Sequence, residues 1–214
     1  MSVMIKVTRT PTPPTSLARQ TNDCYRAPDV VTQLHKDFHG KCYLCERNEV
    51  QSPEVEHLIA HGGNSTLKYD WNNLFFSCSH CNSVKNQKKF SQNVIDCCNK
   101  DPEKLIEPSF INNHVKVVPL NTTVEAITTA ELITECFENV NTGIRTLERK
   151  VLINSLNATM NVFYKTLVEY KSNPSQEILD ELSTMLSRTY KFAGFTRAYV
   201  RANLATYPAL ANLV

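Results

Sequence analysis

Cys42-Tyr-Leu-Cys45 and Cys78-Ser-His-Cys81 set four thiols in two Cys-x-x-Cys pairs, with a Glu56-His57 dipeptide between them. Two such pairs can make one tetrahedral Zn²⁺ site of four thiolates. Four soft ligands close the coordination shell and leave no open position, so this zinc is expected to be structural. The 32 residues between the pairs exceed what a plain zinc ribbon needs. The insertion carries Glu56-His57 and then Asn72-Asn73-Leu74, and Asn82 directly follows the last cysteine. Oxygen donors from Glu56 and Asn82 suit a harder ion, Mg²⁺ or Mn²⁺. His57 titrates near neutrality and can take a proton from water. A divalent ion beside them would stabilise charge on a phosphodiester and its leaving oxygen. The pattern points to metal-dependent phosphodiester hydrolysis, with zinc pinning both ends of the unit that performs it.

The elements that must hold these groups are readable from the pattern. Closely spaced Pro11, Pro13 and Pro14 predict an extended arm, taken as residues 1–23. Pro28-Asp29 opens a helix through Phe38, with Val30, Val31, Leu34 and Phe38 at helical spacing and Gly40 after its end. Residues 54–60 read as a strand closed by Gly62-Gly63-Asn64, and Ser79 to Lys88 as a short helix starting at the metal. Residues 24–100 thus form a zinc-pinned ββα core. Beyond it, residues 101–214 read as mainly helical, giving an α+β chain overall. Asp101-Pro102 opens an irregular linker, His114 to Leu120 suits a short strand, and Thr122-Thr123-Val124-Glu125 offers an N-cap threonine. Ala126, Ala130, Ile133, Phe137, Val140, Ile144, Leu147 and Val151 make one helical stripe, interrupted where Asn139, Asn141, Thr142 and Gly143 disfavour helix. Further helices are expected over 144–171, 174–190 and 193–205.

At 214 residues, 42% hydrophobic and 21% charged, the chain has ordinary globular composition, and its net charge of +2 says little about partners. No apolar run approaches the ~18 residues of a membrane span. The first seven residues lack the apolar core of a secretory signal, so a reducing cytoplasmic setting is expected, where paired Cys-x-x-Cys spacing favours metal over disulfide. Lys85, Lys88 and Lys89 are the local candidates for nucleic-acid phosphates. Trp71 reads as a core plug, His80 as a solvent-facing residue, and Cys24, Cys97, Cys98 and Cys136 as free thiols. His61 could be a further ligand, a phosphate contact or a plain loop histidine.

Cys42-x-x-Cys45, Glu56-His57, Asn72-Asn73-Leu74, Cys78-x-x-Cys81-Asn82 and Lys85 together resemble the HNH endonucleases, the ββα-metal nucleases. The resemblance covers about Cys42 to Lys89 and implies that His57 is the general base. It also implies that Asn82 ligates the catalytic metal in the last motif position, and that Asn73 braces the loop and positions the base. Glu56 stands where the family usually has aspartate, one methylene shorter. The whole layout is similar to the HNH subunits of Septu-type anti-phage defence systems, also found with certain retrons. That likeness implies DNA cleavage and an ATPase partner of the ABC/SMC-like class. The proline-rich arm and the apolar segment Tyr190 to Val214 are the expected docking flanks. The competing reading is a non-catalytic zinc module that binds nucleic acid or scaffolds a complex; an RNA-directed nuclease would share the same site.

Overall fold

The computed structural model describes residues 4–21 and 23–214. Residues 1–3 and 22 of the expected arm lie outside the described residues. The chain is α+β. Helix α1 (Pro28–Asp37) precedes the first cysteine pair, and strand β1 (Pro53–His57) follows it. After a one-turn helix α2 (Ser65–Lys68), strand β2 (Leu74–Cys78) returns antiparallel to β1, with His57 opposite Leu74 and Pro53 opposite Cys78. Helix α3 (Ser79–Lys85) leaves β2 at once, its first amides capped by Cys78, whose sulfur accepts from Cys81 N–H at 3.4 Å. A second hairpin follows, β3 (Ile106–Ile111) and β4 (His114–Pro119), then helices α4 (Val124–Glu138), α5 (Gly143–Ser172), α6 (Gln176–Leu186) and α7 (Ala193–Ala202).

One apolar core runs through both halves. Polar contacts bolt them together at the first zinc knuckle. Phe192 N–H donates to Glu46 O at 3.2 Å, Gly194 N–H donates to Glu46 Oε2 at 2.6 Å, and buried Lys41 donates to Arg188 O at 2.7 Å and Tyr190 O at 2.9 Å. On α3, His80 Nε2–H donates to Cys136 O of α4 at 2.7 Å. His80 is therefore buried, not solvent-facing as its place between two cysteines suggested, because α4 packs directly over the knuckle.

Three further expectations change. The arm is folded onto the core: residues Thr15–Arg19 form a 3₁₀ turn, and Val7 N–H donates to Cys97 O at 2.9 Å. Arg9 donates to Trp71 O at 2.8 Å and Leu74 O at 2.7 Å, its guanidinium lying over the Trp71 and Phe75 rings. Trp71 is the buried plug the sequence suggested, and its indole N–H donates back to Thr10 O at 2.8 Å. The supposed linker contains β3, closed by a two-residue Asn112-Asn113 turn with φ of 53° and 61°, the left-handed pair a tight hairpin requires. The long stripe divides: Ala126, Ala130, Ile133 and Phe137 are buried, whereas Val140, Ile144, Leu147 and Val151 are exposed. Asn139 is extended and Thr142 caps α5 anew, so the helical phase is not carried across the break. The C-terminal apolar segment mostly packs on its own domain, with Phe192, Phe195 and Leu210 buried.

Candidate active site

The four cysteines come together as the spacing implied. Cys42, Cys45, Cys78 and Cys81 are buried, and their sulfurs all lie within 4.8 Å of one another. Cys45 Sγ and Cys78 Sγ are 4.0 Å apart, near the ~3.8 Å edge of a tetrahedron with Zn–S bonds of about 2.3 Å. A buried, all-thiolate cluster fits structural zinc. Tyr43 N–H donates to Phe76 O at 3.0 Å, tying the first knuckle to β2, so the site fixes the hairpin as well as the start of α3.

Next to it, a cleft of about 370 Å³ opens between the end of β1, the following loop and α3, and Glu56, His57, His61, Asn82 and Lys85 line it. His57 ends β1 and is only 9% exposed. Its Nε2–H donates to Lys68 O at 3.0 Å, which leaves Nδ1 as the unprotonated nitrogen of the neutral ring. The Tyr25 ring meets it edge-on with centroids 5.0 Å apart. Burial lowers the His57 pKa below its ordinary value, opposed by the bond to Lys68 and assisted by the charges of His61 and Lys85. Burial thus favours the neutral ring, the form in which it accepts a proton.

Asn73 does not face the cleft. Its buried amide accepts from Ile59 N–H at 2.8 Å and donates to Ile59 O and Leu67 O at 2.9 Å each. Those bonds close the 59–67 loop on itself and so set the position of the Lys68 carbonyl that orients His57. Asn82, one residue past the last cysteine, is half-buried on α3 and lines the cleft.

Glu56 and Lys85 form a buried pair. Lys85 Nζ is 3.2 Å from Glu56 Oε1 and 3.3 Å from His57 O, and the lysine is 2% exposed. Burial pushes the Glu56 carboxyl up to about 7, although the Lys85 charge opposes the rise, and burial likewise lowers Lys85. Lys85 is therefore not a surface phosphate ligand, because α3 turns it inward against β1. Lys89 is also engaged, its ammonium shared by Glu131 and Glu135 of α4. Of the three lysines proposed for nucleic acid, Lys88 alone is exposed with no carboxylate partner among the described residues.

The cations at the cleft come from elsewhere in the chain. Arg26 and Lys68 flank the Tyr25 ring at 5.2 and 5.4 Å from its centroid, and Lys68 also lies 5.4 Å from the Tyr69 ring. No spacing rule links Arg26 to a motif thirty residues on; the turn just before α1 that holds Tyr25 and Arg26 has to pack on β1 before the two meet. His61 also joins the site, its ring centroid 4.7 Å from that of His57 and its Nδ1 accepting Gly63 N–H at 3.1 Å.

With this geometry in hand, the class is defined by residues 42–88, which match the model of the HNH endonuclease family. The resemblance read from the motifs is borne out, and that segment is a nuclease-like domain. Among known proteins, Septu protein PtuB of Bacillus mycoides (strain KBAB4) is 30% identical over 83 residues. The alignment takes in 32% of this chain and 28% of that protein, so the chain spans well under two thirds of the relative's length. No helix among the described residues is long and apolar enough to cross a membrane.

Proposed function

We propose that this chain is a divalent-metal-dependent endonuclease that hydrolyses phosphodiester bonds of DNA, serving as the effector subunit of an anti-phage defence complex with an ABC/SMC-like ATPase. The observation that carries the nuclease reading is the tautomer lock: His57 gives its Nε2 proton to Lys68 O, so Nδ1 carries the lone pair, and the residue lines a cleft that Glu56 and Asn82 also line. A buried thiolate knuckle needs none of these groups for folding. The likeness to a Septu protein supports the defence setting.

In this mechanism Glu56 and Asn82 would hold Mg²⁺ or Mn²⁺, and the ion would supply charge stabilisation to the phosphodiester and its leaving oxygen. His57 Nδ1 takes the proton from the attacking water, and the bond to Lys68 O stabilises the imidazolium that results. Asn73 is a positioning residue, holding the loop that holds His57. Arg26, Lys68 and Lys88 neutralise flanking phosphates, with Tyr25 as the wall of the cleft. The 24–100 core and the 101–214 helical region act as one body through the Glu46 and His80 contacts.

Plasmid nicking with added Mg²⁺ or Mn²⁺ tests the reading. His57→Ala is expected to abolish nicking while zinc content stays at one per chain. The variant loses a buried ring and one hydrogen bond, so a stability cost of about 1–3 kcal/mol is expected alongside. Wild-type nicking by His57→Ala would remove His57 as the base.

A further inference from the structure

The carboxylate facing the cleft is neutralised from inside the protein. Lys85 Nζ sits 3.2 Å from Glu56 Oε1, and both side chains are buried, at 2% and 5% exposure. The ammonium's other acceptor is the His57 carbonyl at 3.3 Å. Lys85 closes the last turn of α3, the helix that begins at Cys78 and carries Asn82, so its backbone is fixed by the zinc knuckle. Among the residues lining the cleft, Glu56 is the one carboxylate, set against two basic side chains, Arg26 and Lys85. Arg26 has a partial counter-charge in Glu54 at 3.7 Å, a solvent-screened pair. A divalent ion entering the cleft on its own therefore meets a surface of no net negative charge.

We propose that Lys85 makes metal binding conditional on nucleic acid: the cleft alone holds Mg²⁺ or Mn²⁺ weakly, and a phosphate supplies the negative charge that Lys85 has taken from Glu56. The proposal rests on the nuclease reading above, in which Glu56 and Asn82 hold the ion. Hard cations take oxygen ligands, and their affinity rises with the number of charged ones. One accessible carboxylate already paired to an ammonium is a poor resident site. Adding a phosphodiester oxygen brings a second anionic ligand and screens Lys85. Within one helical turn of zinc, the same lysine also holds the end of β1 through the His57 carbonyl, so it positions the base while keeping the metal site undercharged.

Titration of the zinc-loaded, full-length protein with Mn²⁺, following the free-ion electron paramagnetic resonance signal, tests this directly. Without nucleic acid, Lys85→Met is expected to bind Mn²⁺ at least about tenfold more tightly than wild type, since a unit charge at ion-pair distance is removed from a partly buried site. The gain should vanish in Glu56→Gln/Lys85→Met. In a second arm, His57→Ala protein, which is expected to leave DNA uncut, is titrated with and without a short duplex; the duplex should tighten Mn²⁺ binding at least about tenfold. Far-UV circular dichroism and zinc content check that Lys85→Met folds, and if it does not, the duplex arm decides alone. Mn²⁺ affinity within twofold of wild type in folded Lys85→Met, or unchanged by duplex, overturns the proposal. Metal-dependent nicking by wild type would then leave the nuclease assignment standing. Loss of nicking with a positive Lys85→Met result would do the reverse.

Discussion

Asn73→Ala should damage the nuclease through the loop rather than through the cleft, and its cost can be worked out from three bonds. The amide accepts from Ile59 N–H at 2.8 Å and donates to Ile59 O and Leu67 O at 2.9 Å each. At about 1 kcal/mol net per hydrogen bond, with more for a buried group left without a partner, the sum is about 3 kcal/mol. The loop those bonds close ends at Lys68, whose carbonyl accepts the His57 Nε2–H at 3.0 Å. A base displaced by roughly 1 Å loses about 10²-fold in rate. Urea unfolding of zinc-loaded protein measures the first quantity and plasmid nicking the second. Asn72→Ala is the control, because that side chain is exposed and should shift stability by less than about 0.5 kcal/mol. Stability within ~1 kcal/mol of wild type together with nicking within a few-fold for Asn73→Ala would refute the brace and leave the His57 orientation without its explanation.

Cys78→Ser should release zinc and unfold the core rather than slow the reaction, since Cys78 is at once a candidate ligand, the end of β2 and the cap of α3; elemental analysis finding zinc retained in folded variant would reject the four-thiolate assignment. Glu103→Gln tests acid stability in the helical region. Despite burial, which works to raise it, Arg197 and Arg201 hold the Glu103 carboxyl down at about 2 against an ordinary 4.5. A depressed carboxyl contributes stability that is complete above pH 4.5 and lost as pH falls through 2, about 3 kcal/mol here. The stability gap between wild type and Glu103→Gln, read by denaturant melts, should therefore narrow between pH 4.5 and 2, and a gap constant over that window would contradict the assignment.

The parts of the site that were legible in the sequence share a local cause. Cys78 caps α3 and Cys81 lies in its first turn, so their spacing alone brings their sulfurs together. Pro28 at the start of α1, Gly40 at φ 68° and Thr123 capping α4 are local signals of the same kind. Alternation over 54–60 placed β1, and the poor helix formers at 139–143 placed the break before α5. What stayed hidden depends on packing between distant segments. Lys85 looked like part of a basic run, and only the face it presents to β1 buries it. The stretch after Asp101-Pro102 read as a linker, yet it holds β3, and Pro108 sits there because β4 is the one sheet neighbour among the described residues, where a missing N–H is tolerated. The arm has no periodicity of its own because Arg9 is held by carbonyls of residues more than sixty positions away.

The zinc knuckle and the cleft are best understood as one device, because α3 serves both. Its N-terminus is set by Cys78 and Cys81, its middle carries Asn82, and its end delivers Lys85 to Glu56 and the His57 carbonyl. Metal at the knuckle therefore fixes the distance between the two elements that would share the catalytic ion, although it touches neither phosphate nor water. The helical region grips the same short helix from outside, through His80 to Cys136 O and Arg145 to Ser83 O at 3.3 Å. Arg145 stands one residue past Ile144, the start of the exposed apolar run on α5. A force applied there reaches Ser83, the neighbour of Asn82, through a single side chain. With the arm and the C-terminal aromatics consumed by intramolecular packing, contacts of this kind onto α3, a helix of seven residues, link the helical region to the metal ligands.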